Sequence, residues 1–177
     1  MPKSLPVPRS SSSAAAEDRM IASSILIRSF QPGDEQAFRQ LNEEWIARFF
    51  EIEEADRIAL GDPVGKILKP GGQIFFAISN GEPIGCCALI AMEPRVFELA
   101  KMAVTERYQG QGIGRKILEY TVAQARGMGA QRLYLESSSK LPNAIHLYES
   151  IGFRHLPRER VKPSPYVRSD VSMEMFL

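Results

Sequence analysis

Three glycines within five residues, Gly110-Gln111-Gly112-Ile113-Gly114, separate an apolar, strand-like run (Phe97 to Val104) from an amphipathic, helix-like run (Ile113 to Arg126). A strand passing through a glycine-rich turn into a helix puts bare backbone N–H groups and a helix N-terminus around one point. Glycine allows the backbone to approach closely, and the helix dipole adds partial positive charge there. The segment reads first as a cradle for a phosphorylated ligand.

The spacing narrows which ligand. A Walker A loop needs Lys and then Ser or Thr after its second glycine, and Gly114 is followed by Arg115-Lys116. A dinucleotide fingerprint, G-x-G-x-x-G, would place a glycine at 115, where Arg115 stands. What remains is Gln109-x-x-Gly112-x-Gly114 directly after a strand. This resembles the pyrophosphate loop of the GNAT superfamily of N-acetyltransferases: Arg or Gln, two residues, Gly, one residue, Gly or Ala. Phe97-Glu98-Leu99-Ala100-Lys101-Met102-Ala103-Val104 resembles that family's fourth strand. Ala144-Ile145-His146-Leu147-Tyr148-Glu149-Ser150-Ile151-Gly152-Phe153 is similar to its A-x-x-L-Y-x-x-x-G-F helix end. Order and spacing agree over residues 74–176, and less specifically from Ser24.

The resemblance implies an α/β fold: a twisted, mostly antiparallel sheet of about seven strands, splayed between the fourth and fifth and flanked by about four helices. It also implies an acyltransferase that moves acetyl from acetyl-CoA to a primary amine by direct attack in a ternary complex. The acceptor would be a small molecule or amino-acid-like. A protein or peptide acetyltransferase and a non-catalytic acyl-CoA sensor are the rival readings.

Composition fits one domain. The chain has 177 residues, 44% of them hydrophobic and 24% charged, with a formal net charge of +1. That balance gives no global reason to expect nucleic acid or an anionic membrane as partner. No apolar run approaches the roughly 20 residues of a membrane span. The adjacent Cys86 and Cys87 read as strand packing rather than a disulfide framework, and a cytoplasmic setting is the simplest expectation. Residues 1–22 have little to bury and are expected to be a mobile tail. Their Ser/Arg-rich opening has some transit-peptide character, but an extension preceding a start at Met20 is the expected reading. Residues 23–177 are expected to form the single domain.

Periodicity places the other elements. A strand is expected over Ser24–Phe30, then a helix capped by Asp34 with Phe38, Leu41, Trp45 and Phe49 on its apolar face. A short helix over Glu53–Leu60 follows. Asn80-Gly81 joins a hairpin of Gln73–Ser79 and Ile84–Met92, and Val96–Val104 is the next strand. Later come a helix from Ile113 ended by Gly127–Gly129, a strand at Arg132–Leu135, a helix over Pro142–Ser150, and strands at Phe153–Leu156 and Val167–Phe176.

By resemblance, acetyl-CoA is held by the backbone of Met102, Ala103 and Val104 and by Gln109, Gly110, Gln111, Gly112, Ile113 and Gly114. Arg115 is either a further phosphate contact or a solvated helix residue. Met102 N–H would face the thioester carbonyl, and Tyr148 would protonate the leaving thiolate. Glu98 is the candidate general base. It precedes Met102 by four residues, so strand alternation would set both on one face, and desolvation should lift its pKa towards neutrality. The family's loop asparagine after the fifth strand is missing; Glu136-Ser137-Ser138-Ser139-Lys140 stands there, leaving the serines or Asn143 as substitutes. On the acceptor side, Trp45, Phe49, Glu98, Tyr166 and Arg168 are candidates. Arg168 or Arg160 could clamp a carboxylate, and acids near residues 43–56 could steer an amine. His146 and His155 show no metal-site spacing with Cys or acids, so no metal is expected. A homodimer is compatible with the resemblance.

Overall fold

The computed structural model describes residues 25–177, so the tail expected over residues 1–22, including Met20, lies outside the described residues. Its strands are β1 (Leu26–Ser29), β2 (Gln73–Ser79), β3 (Glu82–Glu93), β4 (Val96–Val104), β5 (Arg132–Ser137), β6 (Arg154–His155) and β7 (Val171–Phe176). The α-helices are α1 (Glu35–Phe49), α2 (Glu54–Gly61), α3 (Ile113–Gly127) and α4 (Pro142–Ile151). The strands form one sheet in the order β1-β2-β3-β4-β5-β7-β6. Every neighbouring pair is antiparallel except β4 with β5. This is the mixed architecture that the motifs imply.

Both faces of the sheet are apolar over its central strands, so alternate residues feed two cores. Phe75, Ala77, Leu89, Leu99, Leu133 and Leu135 pack beneath Ile113, Ile117, Leu118 and Val122 of α3. Ile74, Phe76, Cys86 and Ala88 face the other way, against Phe38, Leu41 and Ile46 of α1 and Leu60 of α2. The Asn80-Gly81 turn has φ of 50° and 80°, the double left-handed geometry that a two-residue hairpin requires. No helix among the described residues is long and apolar enough to cross a membrane.

Two local expectations need correction, and one element was not expected. Asp34 makes no side-chain cap to α1. Its carboxylate instead accepts from Arg28 Nη1 at 2.6 Å and from Gln31 N at 2.7 Å. The last strand begins at Val171 rather than Val167, because Val167 N donates to Glu53 Oε2 at 2.8 Å and pulls that backbone towards α2. A wide helical turn over Val64–Leu68, which buries Ile67, carries no periodic signal long enough to read.

Two irregularities in β4 shape the site. First, β4 pairs with β5 only from Val96↔Arg132 to Glu98↔Tyr134, yet β4 continues to Val104 and β5 to Ser137. The strands separate beyond Glu98 and leave a cleft. Second, Cys86 pairs with Ala103 while Ala88 pairs with Ala100, so β4 carries one extra residue at the bulge. Lys101 sits there with φ of 52°, an uncommon conformation for a non-glycine residue. A one-residue bulge reverses the alternation beyond it. Met102 therefore packs with the α3 core, while Glu98, one residue from Leu99 of that core, faces the opposite side. The expectation that Glu98 and Met102 share a face is overturned.

Candidate active site

The glycine loop has the backbone that its sequence demands. Gly110 has φ of 75° and Gly112 φ of 76°, and open space lies where a Cβ would stand at each. Consecutive turns of this kind expose N–H groups on one concave side. The first N–H groups of α3, at Ile113, Gly114 and Arg115, have no partner within their own helix. The cradle therefore suits an anionic diphosphate. Gln109 braces it rather than facing outward: its Nε2 donates to Val104 O at 2.9 Å, at the end of β4. Gly114 brings α3 close to its neighbours, since a Cβ there would come within 3.3 Å of Met102 Cε. Arg115 reaches across to α4, donating to Ser150 Oγ at 2.7 Å. Gln111 donates back to Arg107 O at 3.3 Å.

The cleft between β4 and β5 opens into a cavity of about 180 Å³. Glu98, Lys101 and Met102 line it from β4, Glu136 and Ser137 from β5, and Tyr148 from α4. Asn42, Trp45 and Ile46 of α1 close one wall; Tyr166 and Arg168 of the β6–β7 loop close another. The splay thus brings Glu98 and Tyr148 to a single space, although they stand on different elements.

Burial lifts the Glu98 carboxyl to about 7, assisted by the charge of Glu136 and opposed by Lys101. A carboxylate poised there can both take and release a proton near neutral pH. Tyr148 packs edge-on against Phe153 with ring centroids 6.0 Å apart. Burial pushes its phenol well above the ordinary value, so the hydroxyl stays protonated and available as a donor. Glu136 accepts hydrogen bonds from Tyr134 Oη at 3.0 Å and from Ser164 Oγ.

Beside the cavity lies a buried ionic cluster that the sequence reading did not foresee. Asp56 of α2 is fully buried. It receives Lys101 Nζ at 2.8 Å and both terminal nitrogens of Arg168 at 2.7 and 2.8 Å. Arg168 also reaches Glu53 Oε1 at 3.2 Å, and Lys101 donates to Tyr166 Oη at 2.8 Å. The bulge at Lys101 is what aims this side chain at α2. Arg168 makes its bidentate contact with an internal carboxylate, Asp56, rather than leaving its guanidinium open to an acceptor. Arg160 pairs with Glu174, at 2.6 and 2.8 Å, a carboxylate it shares with Arg132.

Other candidates separate cleanly. Phe49 is 44% exposed and stacks on Trp45 at 5.3 Å; it does not line the cavity, whereas Trp45 does. Asn143 is exposed on the first turn of α4, and Ser139 is tied to Asp170. Ser137 and Ser138 are the serines of that loop that reach the cavity. Cys86 and Cys87 are buried, and burial pushes Cys87 to about 12, which suits packing rather than nucleophilic attack. Among the cavity residues, Asn42, Lys101 and Glu136 were not expected. The available signal was a charged residue inside an apolar strand, at Lys101 and again at Glu136 after Leu133-Tyr134-Leu135.

The mixed sheet, the glycine cradle and the splayed β4–β5 cleft together give the architecture that the motifs imply. The family model described as Acetyltransferase (GNAT) family matches residues 28–153, and the chain belongs to that family. An Escherichia coli protein described as an uncharacterized N-acetyltransferase, YjgM, is 35% identical over 91 residues, covering 50% of this chain and 54% of that protein. Human N-acetylaspartate synthetase is 36% identical over 95 residues, covering 50% of this chain and 30% of the enzyme. The chain spans about half or less of the length of these relatives. A GNAT acetyltransferase structure from Staphylococcus aureus Mu50 superposes with a TM-score of 0.77 at 22% identity, covering 86% of this chain and 98% of that one. A PaiA N-acetyltransferase from Thermoplasma acidophilum, solved in complex with coenzyme A, superposes with a TM-score of 0.67 at 16% identity, covering 87% and 99%.

Proposed function

We propose that this protein transfers acetyl from acetyl-CoA to the primary amine of a small, amino-acid-like acceptor. The observation that carries the reading is one cavity at the β4–β5 splay. It joins a buried carboxylate poised near neutrality, Glu98, to a protonated phenol, Tyr148. The glycine cradle at residues 109–115 would hold the diphosphate of the donor, whose part is to supply an activated thioester. Backbone N–H of Met102 would polarise the thioester carbonyl.

The chemistry for this chain's residues then runs in one direction. An amine enters as a cation, attracted by Glu98 and Glu136. Glu98, directly or through one water, takes a proton and leaves a nitrogen lone pair free. That lone pair forms the new C–N bond as the C–S bond breaks, and the extra proton left on the nitrogen passes to the departing sulfur. Tyr148 donates a hydrogen bond to the departing sulfur. Because its phenol is shifted upward, stabilising the thiolate by hydrogen bonding is its part, rather than full proton release.

A small acceptor is favoured over a protein. The β6–β7 loop, fastened to α2 through Asp56, closes one wall of the cavity, which supports a small acceptor. The curated relatives named N-acetylaspartate synthetase favour an amino-acid acceptor in the same way. The test is thiol release from acetyl-CoA across a panel of amines, amino acids and peptides, with Tyr148→Phe alongside. Turnover on small amines, reduced roughly 10–100-fold in the variant, supports the reading. Acetyl-CoA binding without turnover on any acceptor would instead mark an acyl-CoA sensor.

A further inference from the structure

A second cavity, of about 210 Å³, lies beneath the β6–β7 loop and shares Glu98, Glu136 and Pro165 with the central one. Those shared residues stand at the junction between the two spaces. Away from the junction the lining turns basic, with Arg132, Arg160 and Lys162.

Charge pairing leaves this cavity polarised. Arg132 and Arg160 both address Glu174, at 3.2 Å and at 2.6 and 2.8 Å. Two guanidinium groups therefore share the Glu174 carboxylate, with Glu159 beside Arg160. Lys162 meets Glu93 at 3.3 Å, with 71% of its side chain exposed. At the junction the balance is opposite. Glu136 takes its hydrogen bonds from the Tyr134 and Ser164 hydroxyls rather than from a cation, and Glu98 has no cationic hydrogen-bond partner among the described residues. The cations of the central cavity, Lys101 and Arg168, are already met by Asp56 and Glu53. An anionic group entering there would find carboxylates and neutralised cations. In the second cavity it finds two guanidinium groups that share a single carboxylate hydrogen-bond partner.

We infer that the second cavity is a carboxylate subsite for an amino-carboxylate acceptor, whose amine lies at Glu98 and Glu136 and whose carboxylate lies at Arg132 and Arg160, with Lys162 at the edge. This rests on the reading of Glu98 as the amine end of the site. It places the specificity of the acceptor in the β5–β7 face of the sheet rather than in the Arg168 clamp.

The test compares ω-amino carboxylates of graded length with n-alkylamines and diamines of matching length, in wild type, Lys162→Glu and Arg160→Gln. In wild type, the best amino carboxylate is expected to exceed its matching alkylamine by roughly tenfold or more in kcat/KM, as a charge-assisted contact gives. In both variants that ratio collapses towards one, through a raised KM for the amino carboxylate. Using the ratio within each protein removes any general loss of folded enzyme. Equal use of alkylamines or diamines by wild type, or an unchanged ratio in both variants, overturns the subsite. If wild type turns over no amine, the catalytic reading fails, and calorimetric binding of the same amino carboxylates decides the subsite alone. Binding that is lost in Lys162→Glu sustains it, and absence of binding to wild type overturns it.

Discussion

Lys101 Nζ stands 2.8 Å from Asp56 Oδ1, with the two side chains only 6% and 0% exposed. The pair joins the bulge of β4 to α2, and Arg168 extends it to the β6–β7 loop. Three segments distant in sequence meet on one carboxylate, next to the acceptor cavity. Burial by itself would raise the Asp56 carboxyl, but hydrogen bonds from Arg168 and Lys101 outweigh it and hold the group at about 2.

Asp56→Asn is therefore expected to lower stability by about 3–5 kcal/mol, since it strands two buried cations. Urea denaturation at neutral pH measures it. The same group gives a sign for acid sensitivity: its pKa is lowered from 3.8 to about 2, so its contribution is present above the unfolded value and is lost as pH falls through the folded one. The variant should lack that acid-dependent component. A loss below about 1 kcal/mol would equate the cluster with a surface ion pair.

Glu98 carries the opposite linkage. Its pKa is raised from 4.5 to about 7, so the folded state holds a proton that the unfolded chain has released. Stability is retained below the unfolded value and lost as pH rises through the folded one. Glu98→Gln should therefore be more stable than wild type by about 1–3 kcal/mol near pH 8, with the gap closing towards pH 4. Thermal or urea unfolding across that range checks it, and a variant less stable than wild type at alkaline pH counts against the buried-acid description.

Gly112→Ala separates the cradle from the core. Its φ of 76° penalises an L side chain, while the space around a new Cβ is open. The expected cost to folding is about 1 kcal/mol, together with a roughly tenfold or greater weakening of acetyl-CoA. Calorimetry against coenzyme A reads the second effect. Unaltered affinity in a folded variant would remove this loop from the donor site.

The fold was legible because its signals are local. The β2–β3 hairpin follows from Asn80-Gly81, the α3 boundary from the glycine loop, and β4 from a mainly apolar run that the structure places at Val96–Val104. The site was legible only in part. Glu98 and Tyr148 could be picked out by motif, but the bulge at Lys101 has no glycine to announce it, so the face of Met102 was misread. Arg168 was read as a ligand clamp because a sequence does not show which carboxylate lies across the fold. Asp56 lies 112 residues away from it in the chain. Glu136 reads as the first residue of the loop after the fifth strand, whereas β5 continues through it to Ser137 and the β6–β7 loop bonds it through Ser164. Pairing over long separations decided each of these, and periodicity carries no record of it.

The central claim is that Glu98 accepts the amine proton during acyl transfer. The rate of thiol release at saturating acetyl-CoA, followed against pH for wild type and Glu98→Gln, tests it most directly. Wild-type kcat is predicted to rise through a limb near pH 7, where the carboxylate ionises. In Glu98→Gln that limb should be gone and kcat lower by about 10²–10⁴-fold. A wild-type profile flat across neutrality, or a variant within a few-fold of wild type (about 5-fold) with the same limb, would contradict it.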